Sequence, residues 1–193
     1  MTRLLLISGS LRRDSFNSRL LHRIGDMLAT RCELDYLIPI EVGLPLFDQD
    51  YEGDTTLQQK VMQIHTRFSA ADGVIVACPE YNGQPTAYLK NLIDWLTRMA
   101  YVRANVGNPL IDVPVLLCSA STGSSGGSLA IPSLRALFGY VGAVVIGDSF
   151  TLPFAQRLWS EDSGYKLAKF QEQHLAEAVQ RVLKLATARL KSQ

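Results

Sequence analysis

The amino-acid sequence predicts a three-layer α/β domain, a parallel sheet with helices on both faces. Short, wholly apolar runs, residues 4–7 first among them, have the length and flanks of strands buried on both sides. Between them lie stretches whose apolar residues recur at helical spacing, and such alternation is the mark of a parallel sheet. The 193 residues contain no internal repeat and no low-complexity linker, which fits one domain over 1–193 with a full core.

After the first strand, Leu20, Leu21, Ile24, Met27 and Leu28 mark a helix that begins near Asn17. Residues 33–38 read as the second strand. Residues 39–53 read as a long loop whose apolar stretch, G-L-P-L-F-D-Q-D-Y, suits a covering role. Leu57, Val61, Ile64 and Phe68 set the next helix, and residues 73–78 the next strand. The helix over 86–99 is apolar on two sides: Leu89, Leu92, Ile93 and Leu96 share one, and Trp95 and Met99 turn toward another. A second apolar side points to a subunit interface. Residues 101–112 form a polar loop and 113–118 a strand, and Pro132 opens a helix carrying Ile131, Leu134, Leu137 and Phe138. Residues 143–146 are the last strand. Leu167, Phe170, His174, Ala178, Val182 and Leu185 make the stripe of a C-terminal helix.

Composition excludes several classes of function. A net charge of +1 with scattered basic residues offers no field for nucleic acid, and Arg181, Lys184, Arg189 and Lys191 suit a solvated helix face. The chain enters a strand at once, and no apolar run approaches membrane-spanning length. A cytoplasmic protein with no signal peptide and no membrane partner is therefore expected. Cys32, Cys78 and Cys118 are odd in number and lack C-x-x-C spacing, so they read as reduced core residues. His22 and His65 are expected at the surface, and no His or Cys spacing suits a metal.

The chemistry is concentrated after the first strand, in G-S-L-R-R-D-S-F-N. This loop leads into a helix N-terminus, where unpaired N–H groups and the helix dipole favour an anion. Gly9 lets the backbone turn, Ser10, Ser15 and Ser18 bring hydroxyls, Asn17 an amide, and Arg12 a guanidinium fork. The same residues also fit a plain capped helix, and this loop alone leaves both readings open. Neither G-x-G-x-x-G nor a P-loop is present, so a dinucleotide or nucleotide triphosphate cradle is not indicated. Many side-chain donors around one glycine suit a terminal phosphate monoester, as in FMN.

Two further loops follow strands and so share the carboxyl edge of the sheet, where ligands bind in this architecture. Pro79-Glu80-Tyr81-Asn82-Gly83 sets backbone N–H groups beside an aromatic ring, which suits the edge and face of an isoalloxazine. The third loop, S-A-S-T-G-S-S-G-G, can approach the other side of a ring closely. A rival reading uses part of that loop: Gly123-Ser124-Ser125-Gly126-Gly127 matches G-x-S-x-G, and Asp148 and His174 follow in hydrolase order. It leaves the first loop without a role.

Taken with L-K-N-L-I-D-W, the three loops resemble the NADPH-dependent FMN reductases of flavodoxin-like fold, a group that includes bacterial quinone and chromate reductases. The resemblance covers nearly the whole chain. It implies strand order 2-1-3-4-5, bound FMN, and NADPH or NADH as electron donor. It assigns Ser10, Arg12, Ser15 and Asn17 to the phosphate, with Leu11 and Phe16 also among the cofactor-binding residues. Pro79, Glu80, Tyr81 and Asn82 go to the flavin ring, and Ala120, Ser121 and Gly123 to its border. The flavin does the chemistry, so no catalytic acid or nucleophile is assigned. The electron acceptor is a quinone, free flavin, a nitro or azo compound or a metal oxyanion, served in a ping-pong cycle. The resemblance also implies a homodimer or homotetramer with L-P-L-F-D-Q-D and the helix of L-K-N-L-I-D-W near the partner subunit. A flavodoxin-like electron carrier shares the fold, but such carriers are typically acidic and this chain is neutral. The chain departs from the family in M-A-Y-V-R-A-N-V-G-N, longer than usual, and in P-L-I-D-V-P; that loop is expected to border the substrate side.

Overall fold

In the computed structural model, which describes residues 1–192, five parallel strands stand in the order β2-β1-β3-β4-β5. They are β1 (Arg3–Ser8), β2 (Glu33–Leu37), β3 (Gly73–Ala77), β4 (Pro114–Ala120) and β5 (Val144–Leu152). The helices are α1 (Phe16–Leu28), α2 (Pro39–Val42), α3 (Thr55–Ser69), α4 (Ala87–Val102), α5 (Ala130–Tyr140), α6 (Ala155–Leu158) and α7 (Lys169–Ser192). A two-stranded hairpin, β6 (Trp159–Ser160) with β7 (Gly164–Tyr165), stands apart from the main sheet.

Alternation along each central strand feeds two cores. Leu4, Leu6, Ile75, Ala77, Leu116 and Cys118 face α1 and α7. Leu5, Ile7, Val74, Val76, Val115 and Leu117 face α3, α4 and α5. Both faces of β1, β3 and β4 are buried, and burial of this kind is the main favourable term of folding. The parallel register ends Ile7, Ala77 and Ala120 near one edge, so the loops that follow β1, β3 and β4 emerge side by side.

Several expectations are corrected. The last strand runs to Leu152 rather than stopping at Ile146. It is an edge strand with alternating exposure, and its ladder with β4 shifts register at residues 146–148, between Val145 opposite Val115 and Ser149 opposite Leu117, before pairing resumes to Leu152. Residues 39–53 contain α2 and a 3₁₀ turn over Gln49–Gly53. On α7 the buried stripe is Leu175, Ala178, Val179, Val182, Leu183 and Ala186, while Phe170, His174 and Leu185 turn outward. His65 is buried, with Nε2 2.8 Å from the Gly107 carbonyl and Nδ1 3.2 Å from Ser69 Oγ.

The second apolar side of α4 is covered by the chain itself. Trp95 and Met99 pack with Val61, Leu44 and Phe47, and Trp95 Nε1 donates to the Pro45 carbonyl at 2.8 Å. Asn91 bonds both Pro45 and Phe47. The L-P-L-F stretch is thus strapped to α4, although Leu46 still exposes 76% of its surface. The loop between α4 and β4 lies at the amino edge, where Asn108 and Asp112 bond Val141 and Gly142. A helix that returns from the carboxyl edge must end at the opposite one, so within this chain that loop is remote from the strand-end cleft.

Candidate functional site

The three strand-end loops enclose a cleft of about 150 Å³ lined by Ser10, Arg12, Ser15, Phe16 and Asn17, by Pro79, Glu80 and Tyr81, and by Ala120, Ser121 and Thr122. Of the residues expected there, Leu11 turns to a neighbouring cavity, Asn82 stands exposed at a turn and Gly123 lies just beyond the lining.

The first loop is held by close backbone approach. Gly9 donates to the Ala77 carbonyl at 2.8 Å, and Thr86 Oγ1 donates to the Gly9 carbonyl at 2.6 Å. A Cβ on Gly9 would lie 2.7 Å from Cys78 Sγ, so this glycine serves contact with β3 rather than a left-handed turn. Ser15 caps α1, its hydroxyl oxygen accepting from the Asn17 and Ser18 N–H groups at 3.2 and 3.3 Å. Its own O–H remains available as a donor. The plain-cap reading and the anion-cradle reading therefore use the same serine. Among the described residues no acceptor meets the N–H groups of Leu11, Asp14 and Phe16. Arg12 is exposed and rests 5.8 Å above the Phe16 ring. Asp14 is turned toward Arg19, at 3.8 Å.

Asn17 is buried, and its amide is largely committed. Nδ2 donates to the Ala120 carbonyl and Oδ1 accepts from the Ala120 N–H, both at 2.9 Å. One N–H of the amide is left for a ligand.

In the second loop, Tyr81 and Gln84 exchange backbone hydrogen bonds at 2.9 and 3.1 Å around Asn82 and Gly83, whose φ values are 53° and 74°. Two positive φ angles in a two-residue turn explain the Asn-Gly pair. The Tyr81 N–H is therefore consumed by the turn. Glu80 reaches across to accept from the Leu129 N–H at 2.9 Å, and Gln84 accepts from Ser133 Oγ at the same distance, tying this loop to the segment that starts α5.

The third loop is pinned by the corner after β5. Ser121 bonds Leu152 and Ala155, and Gly123 accepts from Phe154. Gly127 has φ 88°, and a Cβ there would stand 1.9 Å from Ser119 Oγ. The hydrolase constellation is not assembled: Ser125 Oγ accepts from the Gly127 N–H, Asp148 pairs with Arg181 at 2.9 Å, and exposed His174 packs edge-on against Phe150.

The sequence reading missed Thr122, Arg19 and Tyr165. Arg19 lies 4.5 Å from the Trp159 ring, and Tyr165 Oη donates to the Phe16 carbonyl at 2.9 Å, so the β6-β7 hairpin braces the first turn of α1. Thr122 was signalled by its place between Ser121 and Gly123. All three cysteines are free and buried. Burial pushes the Cys78 thiol up and that of Cys118 up to about 12, so neither is a poised nucleophile.

These features fit a phosphate monoester at the α1 end, with unpaired N–H groups, hydroxyl donors and an arginine. They also fit a flat ring between the second and third loops.

Comparison with known proteins bears on this geometry. The family model described as NADPH-dependent FMN reductase matches residues 2–157. A 2-hydroxy-1,4-benzoquinone reductase of Burkholderia sp is 28% identical over 180 residues, covering 89% of this chain and 93% of that one. A quinone reductase of Escherichia coli K12 is 32% identical over 138 residues, 72% of this chain and 70% of its own. In fold, the flavoenzyme NAD(P)H:(acceptor) oxidoreductase FerB of Paracoccus denitrificans superposes with a TM-score of 0.80 at 24% identity, covering 98% and 99% of the two chains. The five-stranded 2-1-3-4-5 sheet and this family match together place the chain in the NADPH-dependent FMN reductase family, an enzyme of that type on a flavodoxin-like fold.

Proposed function

We propose that this protein is a cytoplasmic flavoenzyme that holds FMN in the strand-end cleft and moves electrons from NAD(P)H to a small acceptor, a quinone first among the candidates. The observation that carries this is the convergence of three loops on one cleft whose α1 end is rich in donors. The Ser10 and Ser15 hydroxyls, Arg12, the free N–H of Asn17 and the N–H groups at the start of α1 would hold the phosphate. Tyr81, Pro79 and the Ala120-Ser121-Thr122 segment would border the ring. FMN, when bound, supplies the redox chemistry, and the residues of this chain supply position. Glu80 and Gln84 fix the second loop against α5, and Asn17 fixes the first loop against the third. In this reading the nicotinamide and the acceptor meet the flavin in turn, in a ping-pong cycle. The bacterial quinone reductases named above support the acceptor class. A homodimer or homotetramer, extending the cleft wall, is part of the same proposal. No described helix is long and apolar enough to cross a membrane.

The test is spectroscopic and kinetic. The purified protein should show flavin absorbance that NADPH bleaches under nitrogen, and a quinone should restore it with steady turnover and parallel double-reciprocal lines. Flavin that bleaches but supports no turnover would mark an electron carrier. A protein that takes up no flavin would remove the proposal altogether.

A further inference from the structure

Beside the flavin cleft lies a larger cavity of about 730 Å³, framed by the end of β1, the first half of α1 and the corner between β2 and α2. Loop residues 10–13 separate the two, and Ser10 and Arg12 line both. The cavity has a character of its own. Leu11, Ile38 and Ile40, all exposed, supply its apolar surface over a buried floor of Leu6, Leu21 and Leu37, and the His22 and Tyr36 rings, stacked 5.1 Å apart at 25°, stand among its walls. Ser8 and Ser18 also line it, but their hydroxyls bond each other at 2.8 Å. The α2 side is fixed by Arg67, which bonds the Tyr36 carbonyl at 2.6 Å and Glu41 at 2.8 Å.

Its charge is of one sign. Arg12 and Arg13 reach the lining, and no carboxylate does. Asp14 is directed at Arg19 and Glu41 at Arg67. Arg13 has no ion pair or hydrogen-bond partner among the described residues. A volume within the roughly 300–1,000 Å³ range of small-molecule sites, mostly apolar walls and a few placed polar groups are what a ligand pocket requires.

We propose that this cavity is a second ligand site, distinct from the flavin cleft, for an aromatic carboxylate. The fused or single ring would lie on the apolar wall beside the His22–Tyr36 stack, and the carboxylate would meet the guanidinium of Arg13. Arg13 is the dedicated partner, because Arg12 also serves the flavin cleft.

The experiment uses 2-naphthoate as the probe and 2-naphthol as its uncharged counterpart, each titrated by calorimetry into the flavin-loaded protein. The acid should bind at one site per chain without altering the flavin spectrum. Arg13→Gln should weaken the acid roughly tenfold while leaving naphthol and FMN affinities in place. His22→Ala should weaken acid and alcohol alike, severalfold, by removing part of the ring's wall. No saturable binding up to millimolar acid would overturn the proposal, as would occupation of the cavity by a second copy of the chain. A flavin spectrum that shifts as naphthoate binds would place the acid in the flavin cleft, and equal effects of Arg13→Gln on acid and alcohol would remove the charge pairing; either result also overturns it.

Discussion

Asn17 and the backbone of Ala120 exchange two hydrogen bonds of 2.9 Å between positions 103 residues apart, and both residues are buried. The first and third loops are thereby fastened before any ligand arrives. Asn17→Ala would leave the N–H and C=O of Ala120 unpaired, at a cost of about 1–3 kcal/mol for each buried group. In a chain of this size the flavin-free protein should melt lower by on the order of 10 °C. Differential scanning calorimetry without added flavin checks this, and an unchanged midpoint would show that the loops are held by other contacts.

The Gly-Ser-rich third loop separates a structural glycine from a permissive one. Gly127→Ala combines φ 88° with a Cβ 1.9 Å from Ser119 Oγ, whereas at Gly123 the nearest atom is Ser121 Oγ at 3.6 Å. Gly127→Ala should therefore cut both stability and flavin retention, and Gly123→Ala should be mild. Ser125→Ala should leave NADPH oxidation nearly intact, and no fluorophosphonate should attach to the parent protein. Stoichiometric labelling at Ser125 would revive the hydrolase reading that the Asp148–Arg181 pair opposes.

The strands and the three loops were legible because they rest on local signals, whereas the strand order came only with the family resemblance. Apolar runs buried on both faces, an Asn-Gly turn and a serine before a helical stripe each carry their structure in a few adjacent residues. What stayed hidden depends on partners distant in sequence. Nothing adjacent to Asn17 in sequence shows that its Oδ1 and one of its N–H groups are committed to Ala120, which leaves a single N–H for a ligand. Glu80 lines the cleft as expected, but nothing local shows that its carboxylate accepts from the Leu129 N–H. Trp95 and Met99 read as a subunit face, yet Pro45 and Phe47 fold back over them. The edge strand β5 was cut short because half-exposed alternation with glycine and aspartate carries a weaker signal than a buried run.

The buried thiols set an alkaline limit. The Cys118 thiol is pushed up to about 12 by burial, with Cys78 and Cys32 raised for the same first reason. A folded pKa above the unfolded one means that the unfolded chain gives up its proton first as pH rises. Stability contributed by the protonated thiol is thus complete below about pH 8.5, the ordinary thiol value, and is lost above it. Each such group should lower unfolding free energy by a slope approaching about 1.4 kcal/mol per pH unit. Urea unfolding between pH 8 and 10 should show the decline, and Cys118→Ala, less stable throughout from lost packing, should show a shallower one. Parallel declines in the two proteins would mean that Cys118 does not ionise on unfolding.

Strapping of the L-P-L-F stretch onto α4 changes where a partner subunit would sit. With Trp95 and Met99 covered, the apolar surface left on this side is Leu46, Tyr51 and Tyr101, all exposed. Light scattering of the flavin-loaded protein should report at least a dimer, and Leu46→Lys should weaken it by placing a charge in the interface. A wild-type monomer at micromolar concentration would count against this face, and a Leu46→Lys protein that stays fully associated would move the interface elsewhere.

Arg12 offers the sharpest separation of phosphate from ring. Its guanidinium lies over Phe16 at the cleft, on the side of the α1 N-terminus, with no ion pair among the described residues. A charged hydrogen bond to a phosphate contributes about 1.5–3 kcal/mol, and because Arg12 is exposed the lower end applies. Arg12→Ala should therefore weaken FMN binding roughly tenfold. Riboflavin carries the same ring without the phosphate, so its affinity should hardly change. Raised salt should narrow the wild-type preference for FMN, since an exposed pair is screened over about 10 Å at 0.1 M ionic strength. Fluorescence quenching of both ligands against both proteins gives a double difference that isolates the phosphate contribution. Equal losses for FMN and riboflavin would assign Arg12 to the ring or to the packing of Phe16, and the phosphate would then rest on the serines and the helix N–H groups alone.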